Sequence, residues 1–337
     1  MKPKLYRVDN YLEYHKAGPS DLIRLLPAPG NNAICLPKAQ IETLVYAIAT
    51  GQFTHISGAT GTAKSSLIEA LYQVPENFRV VCDSLGLPVL PLKAYPNEMA
   101  VYEAPGELYQ RRSLKDGSTF DEMSGLVKSL MDASNSSDKY YHLIWLREIG
   151  RVHSASVQGG LLDLMTSGDI TLPDGNRINA GKIAWVADSN YQAASDSVHT
   201  LVTLDDALKR RFTVNLTLDY LSAEQEFQVL RELIGPVETE EVADEIVMQA
   251  VQLGQIVRSG KHEGNLQSVV SPTISGYLAF YNMVSALPHL SRQQVAMSTM
   301  LGNASSDDQK QVAGVLNQVF GYQRDDSEDF IEAGGLF

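Results

Sequence analysis

The chain has 337 residues, 44% of them hydrophobic, and a formal net charge of −13. That length fits roughly two domains with a sizeable core. The acidic balance excludes a general attraction to nucleic acid, which needs clustered Lys and Arg; Lys209-Arg210-Arg211 is the local exception. No stretch approaches the ~20 apolar residues of a membrane helix, and the start of the chain, with Lys2, Lys4, Arg7 and Asp9, has no apolar segment of the signal-peptide kind. Cys35 and Cys82 lie far apart in apolar surroundings. They are expected to be buried thiols of a reducing cytoplasm, neither a disulfide nor a zinc site.

In chain order, residues 1–36 read as an irregular or partly helical leader broken by Gly18-Pro19 and by Pro27, Pro29 and Gly30. From Pro37 to Thr50 the apolar residues Ile41, Leu44, Val45 and Ile48 recur at helical spacing, with Pro37 suited to the first turn and Gly51 to the end. Phe53–Ser57 reads as a strand, followed by a glycine-bearing loop and a helix over Lys64–Tyr72. Further strands are expected at Arg79–Cys82, Tyr140–Leu146, Ile183–Asp188 and Val214–Leu218, with helices at Ser156–Thr166 and Leu204–Arg210. Strands alternating with helices predict a parallel sheet covered on both faces. After Asp219 the pattern becomes helical: Ser222–Ile234, Glu238–Ser259, Thr273–Ala286, Arg292–Leu301 and Asp308–Phe320. The expected organisation is thus a leader (1–36), an α/β domain (37–220), a smaller all-helical domain (221–322) and an acidic tail (323–337).

The most specific signal is Gly58-Ala59-Thr60-Gly61-Thr62-Ala63-Lys64-Ser65, which follows a strand and opens a helix. Small residues let consecutive backbone N–H groups curl around a phosphate chain, and the helix N-terminus adds partial positive charge. Lys64 is placed to reach the outer phosphates and the Ser65 hydroxyl to bind Mg²⁺. Alanine at 63 departs from the usual glycine before the lysine.

With that alanine, Gly61–Ser65 resembles the phosphate loop of MoxR-type and replicative-helicase-type AAA+ ATPases. The run Ile144–Arg151, IWLREIGR, resembles the MoxR-type stretch of three apolar residues and Asp-Glu-Ile-Asn-Arg. Gln158, Leu161-Leu162 and Met165 are spaced as in that family's next helix, and Leu172-Pro173-Asp174-Gly175 is similar to its hairpin insert. Asn190 stands where the family keeps a polar sensor. Asp206-Ala207-Leu208 before Arg211-Phe212 resembles the helix leading to its arginine–phenylalanine pair, and Ser271-Pro272 lies where the lid domain has a second sensor. The resemblance covers about residues 37–290.

It implies a P-loop NTPase (AAA+) fold with a helical lid, and ATP with Mg²⁺ as cofactors. Gly58, Ala59, Thr60, Gly61, Thr62, Ala63, Lys64, Ser65 and Ser66 would surround the phosphates. Glu148 would orient the attacking water, Asn190 would hold that water or the terminal phosphate, and Arg211, with Arg210 as fallback, would act as an arginine finger. His142 and His153 read as structural. Two positions depart from the family. Arg147 replaces the aspartate that helps hold Mg²⁺, and an arginine cannot bind a cation; Asp188 or Asp83 is the expected substitute. Thr273 stands where the lid carries an arginine.

The resemblance further implies a homo-oligomeric, typically hexameric, ring in the cytoplasm without membrane insertion. Its partner would be a separate protein client or adaptor bearing a metal-dependent adhesion (von Willebrand A-like) domain. The residues leave open two alternatives: a nucleotide-responsive scaffold that hydrolyses little, and a nucleic-acid-acting motor subunit. The Leu172–Ile178 hairpin and the Ala94–Arg112 segment, read as solvated loops, are candidate pore or partner segments.

Overall fold

The computed structural model describes residues 22–29, 34–115, 117–136, 139–152, 154–166, 169–171, 175, 177–179, 183–190, 204–266, 268–302, 304–305 and 308–321. The chain divides into two compact units, with the boundary between Tyr220 and Leu221.

The first unit opens with an antiparallel pair, β1 (Leu22–Leu25) and β2 (Ile34–Pro37). Apart from Pro37, which was expected to open the following helix, both strands lie in the segment expected to be irregular or partly helical, and Ile23, Leu25 and Leu36 enter the core. Helix α1 (Lys38–Ala49) buries Ile41, Leu44, Val45 and Ile48, the stripe seen in the sequence. Gly51, at φ 70°, carries the chain out of the helix into β3 (Phe53–Gly58). The phosphate-loop segment follows, then α2 (Lys64–Gln73) and α3 (Pro75–Ser84).

Helix α3 corrects the strand expected at Arg79–Cys82. Val80-Val81-Cys82 is rich in strand formers, but Asn77, Phe78, Val81 and Cys82 are the buried residues, at helical spacing, and Pro75 sits in the first turn. The missing strand is β4 (Leu92–Glu98), which carries Pro96 and occupies a sheet edge, where a residue without an N–H is tolerated. The Ala94–Arg112 segment is therefore not a loop. It completes β4, passes through two 3₁₀ turns and enters β5 (Gln110–Lys115), which pairs with β6 (Ser118–Met123) in an exposed hairpin.

Next come α4 (Gly125–Asn135), β7 (Tyr141–Arg147), α5 (Ala155–Thr166), β8 (Asp169–Thr171), β9 (Arg177–Asn179), β10 (Ile183–Asn190), α6 (Asp206–Arg211) and β11 (Val214–Leu218). Strands β8 and β9 pair antiparallel at the expected hairpin. Leu172, Pro173 and Asp174 of its turn lie outside the described residues, as do His153 and the tail from residue 322.

Five strands form one parallel sheet in the order β11-β3-β10-β7-β4. As predicted, both faces are covered. Leu67, Leu71, Phe78, Leu143, Trp145 and Val186 pack with α1–α3 on one face. Leu130, Ile144, Leu146, Leu161, Trp185 and Phe212 pack with α4–α6 on the other. The near-continuous burial of β10 is what a central parallel strand requires.

The second unit is helical: α7 (Ala223–Ile234), α8 (Glu240–His262), α9 (Ile274–Ala286), α10 (Arg292–Ala296) and α11 (Gln309–Phe320). Ser222 with Gln225, and Ser291 with Gln294, close capping boxes. The single helix expected over Arg292–Leu301 changes to a π turn at Met297–Leu301. Arg258 ties the bundle together, donating to Glu226 at 2.6 Å, to the Tyr277 hydroxyl at 3.0 Å and to the Pro272 carbonyl at 3.2 Å. Gly254 is required there, because a Cβ would collide with the Tyr277 phenol. Among the described residues no helix is long and apolar enough to cross a membrane, and Cys35 and Cys82 are both buried and not joined in a disulfide.

Candidate functional site

The phosphate-loop residues leave the carboxyl end of β3, in the middle of the sheet. Gly58 ends that strand between Asn190 of β10 and Leu218 of β11. Any Cβ there would strike the Leu218 carbonyl and crowd the Thr62 hydroxyl, so only glycine fits. Ala59 turns its carbonyl inward to accept from Thr62 Oγ1 at 2.9 Å and from Lys64 Nζ at 2.6 Å. The Thr60 carbonyl accepts from the Tyr220 hydroxyl at 3.0 Å. Gly61 (φ 84°) and Ala63 (φ 64°) both adopt left-handed backbone. For Ala63 this costs about 1–2 kcal/mol relative to an ordinary conformation, the physical content of the departure from glycine.

Lys64 opens α2 and is 6% exposed. Its ammonium lies within the loop, donating also to the Gly58 carbonyl at 2.9 Å. Burial pushes its pKa below the usual lysine range, while the charges of Asp188 and Glu148 act the other way. Ser65 and Ser66 follow in the first turn of α2, both half-buried.

Asp188 is 3% exposed, near the end of β10. Its Oδ1 accepts from the buried Trp145 indole at 2.7 Å, and its Oδ2 lies 3.4 Å from the Ser65 hydroxyl. The Glu148 backbone N–H donates to the same carboxylate, and Lys64 and Arg147 add favourable charge, yet burial outweighs these and raises its pKa. A buried carboxylate beside a hydroxyl is a hard-oxygen donor set that suits Mg²⁺. The other expected substitute, Asp83, does not fit: it is exposed near the end of α3, because the segment expected to be a strand is helical.

Arg147 ends β7. Cross-strand register sets it beside Glu98 of β4, and the two pair at 2.5 Å. Its guanidinium also lies 4.8 Å from the Trp145 ring centre. The reversed charge is therefore neutralised locally, on the face where Trp145 holds Asp188. Glu148 follows in left-handed backbone, φ 50° and ψ 50°. Its carboxylate pairs with Arg151 Nε at 3.0 Å.

Asn190, half-buried, ends β10 in register with Gly58, beside the start of the phosphate loop. Arg211 ends α6, half-buried, with no ion pair among the described residues; Arg210 is exposed and Lys209 pairs with Asp206. His142 is structural, its Nε2 at 3.0 Å from the Ser136 carbonyl and its Nδ1 at 3.1 Å from the Tyr95 hydroxyl. Thr273 precedes α9 and makes no side-chain cap.

The first unit thus brings Gly58–Ser66, Glu148, Asp188 and Asn190 to the carboxyl edge of one sheet, the place where parallel α/β sheets bind ligands. Glu98 escaped the sequence reading, and Trp145 and Arg151 entered it only within the Ile144–Arg151 stretch, without a site role. Trp145 carried a signal of its own, standing two residues before Arg147 and so on the same strand face.

No protein-family model and no curated protein matches the chain. Among solved structures it is similar to a RuvB mutant from Thermotoga maritima at 14% identity and TM-score 0.44, covering 85% of this chain and 71% of that one. It is likewise similar to the ORC2 protein of Aeropyrum pernix in its ADPNP–ADP complexes, at 14% identity and TM-score 0.47, covering 80% and 67%.

Proposed function

We propose that this chain is an ATP-binding ATPase of the MoxR AAA+ type, assembled into a ring, hexameric in the family it resembles, that remodels or gates a separate protein partner. The observation that carries the reading is the Lys64–Ser65–Asp188 group at the carboxyl ends of β3 and β10, with Lys64 and Asp188 buried and Ser65 half-buried. An ammonium, a hydroxyl and a carboxylate converge there on a glycine-bearing loop at a helix N-terminus. Ser65 and Asp188 would hold Mg²⁺, which when bound offsets phosphate charge. Lys64 exchanges its loop carbonyls for the outer phosphates. Glu148, once released from Arg151, orients a water and draws off its proton as the water oxygen bonds to the terminal phosphorus and the bond to the bridging oxygen breaks. Asn190 positions that water or phosphate from beside Gly58. Arg211 has no role at its own subunit's site and serves a neighbour's, which is why a ring is required. The partner suggested by the family resemblance carries a metal-dependent adhesion (von Willebrand A-like) domain.

A second reading, a nucleotide-responsive scaffold with little hydrolysis, is favoured by the Glu148–Arg151 ion pair and by Arg147. Binding of ATP and release of phosphate, measured with Lys64→Ala and Glu148→Gln, separate the two. Lys64→Ala is expected to lose about 2–5 kcal/mol of nucleotide affinity, the cost of leaving a buried charge unpaired. Glu148→Gln is expected to keep affinity and lose about 10²–10⁴-fold in turnover. Wild-type affinity in Lys64→Ala would remove the phosphate loop from the account. Tight binding by wild type with no phosphate release, even in assembled rings, would establish the scaffold.

A further inference from the structure

The face of the sheet opposite α2 carries a polar pair, His55 and Ser189, that the proposed mechanism does not use. His55 lies in the middle of β3, level with Ala187 of β10 and Asn215 of β11. Its Nε2 is 2.8 Å from Ser189 Oγ, the residue before Asn190. Its ring packs against Phe212, the residue after Arg211, with ring centres 5.6 Å apart and planes at 38°.

Phe212 is buried, and its N–H donates to the Lys209 carbonyl at 3.2 Å, closing α6. From the other end, α6 is anchored by fully buried Leu208 and by the Asp205 N–H, which donates to Gln158 Oε1 at 2.6 Å. The helix end carrying Arg211 is therefore fixed through Phe212, and Phe212 rests on His55. The half-buried imidazole and hydroxyl pair with each other, and burial lowers the His55 pKa, which favours the neutral ring that such a bond uses. An apolar residue at 55 would fill the space and break the link to Ser189.

We infer that His55 is a positioning residue linking the Asn190 end of β10 to the α6 end that carries Arg211, so that the state of one subunit's nucleotide site sets the reach of its arginine into the neighbouring site. This rests on the proposed roles of Asn190 and Arg211.

The test compares wild type, His55→Phe, His55→Gln and Arg211→Ala as full-length assembled protein, reading ATP affinity, thermal stability and phosphate release. His55→Phe is expected to keep affinity within about two-fold and to lose at least about ten-fold in turnover, without loss of melting temperature. His55→Gln, whose amide reaches toward Ser189 Oγ, is expected to recover turnover to within about three-fold. A merely packed histidine predicts a different pattern, with melting temperature falling and turnover tracking it. Wild-type turnover in His55→Phe, or no recovery in His55→Gln, with Arg211→Ala impaired, would overturn this inference alone. Wild-type turnover in Arg211→Ala would overturn the trans-acting arginine, and the His55 link with it.

Discussion

Arg211→Ala is expected to lower ATP turnover by about 10³-fold or more while leaving nucleotide affinity within about a factor of two. The magnitude follows from what an arginine supplies to phosphoryl transfer, about 10³–10⁵ in rate when its guanidinium meets the charge developing on the transferred group. Arg211 ends α6 half-buried, and among the described residues no carboxylate pairs with it. Buried Leu208 and Phe212 anchor α6 before and after it. The competing explanation is three cations completing a helix C-terminus, since Lys209, Arg210 and Arg211 all fall in the last turn. That role is worth only about 0.3–1 kcal/mol of stability, would be shared by exposed Arg210, and would leave turnover unchanged. Phosphate release by Arg211→Ala and Arg210→Ala, beside equilibrium nucleotide binding, separates the two. Equal small losses in both variants would assign Arg211 to the helix end.

The second large effect is at Asp188. Asp188→Asn is expected to remove the Mg²⁺ dependence of nucleotide binding and to lower turnover by about 10²–10³-fold, a loss of several kcal/mol of charge stabilisation. The same substitution is expected to leave the fold equally or more stable. The sign follows from burial: the Asp188 pKa is raised in the folded chain, so its ionised form is disfavoured by folding, and an amide of the same shape can accept from Trp145 without charge. A carboxylate retained for the Trp145 hydrogen bond alone predicts the opposite, lost stability with activity following it. Thermal melts of both proteins with and without Mg²⁺–ATP read the difference. A lower melting temperature in Asp188→Asn with unaltered Mg²⁺ dependence would assign Asp188 a structural role.

The phosphate loop and its flanks were legible in the sequence because their signals are local. Alternating Phe53–Gly58, the glycines at 58 and 61 and the amphipathic α2 each carry their own pattern, and the structure keeps all three. Asp188 could be named as a strand-end carboxylate and a metal-ligand candidate, yet its hydrogen bond from Trp145 and its place beside the Ser65 hydroxyl were out of reach. The Glu98–Arg147 pair, and the favourable charge Arg147 lends Asp188, exist only once β4, β7 and β10 are assembled, and β4 hid behind Lys93 and Pro96, tolerable at an edge but not in a central strand. Arg147 therefore read as a lone reversed charge when it is half of a cross-strand pair. The error at α3 has a related cause: Val-Val-Cys favours a strand locally, and only the burial of Phe78, Val81 and Cys82 against the sheet decides for a helix. Glu148 shows what no residue type reveals, since its left-handed backbone and its ion pair with Arg151 are set by the turn after β7.

The measurement that tests the account most directly is the specific rate of phosphate release from the wild-type protein with ATP and Mg²⁺ across a protein concentration series. A site built from Lys64, Glu148 and Asp188 of one subunit and Arg211 of the next predicts a rate per chain that rises steeply with concentration and levels off as rings fill. A rate per chain that is appreciable and constant down to the dilution where the protein is monomeric would contradict it, because every group needed for hydrolysis would then lie within one chain.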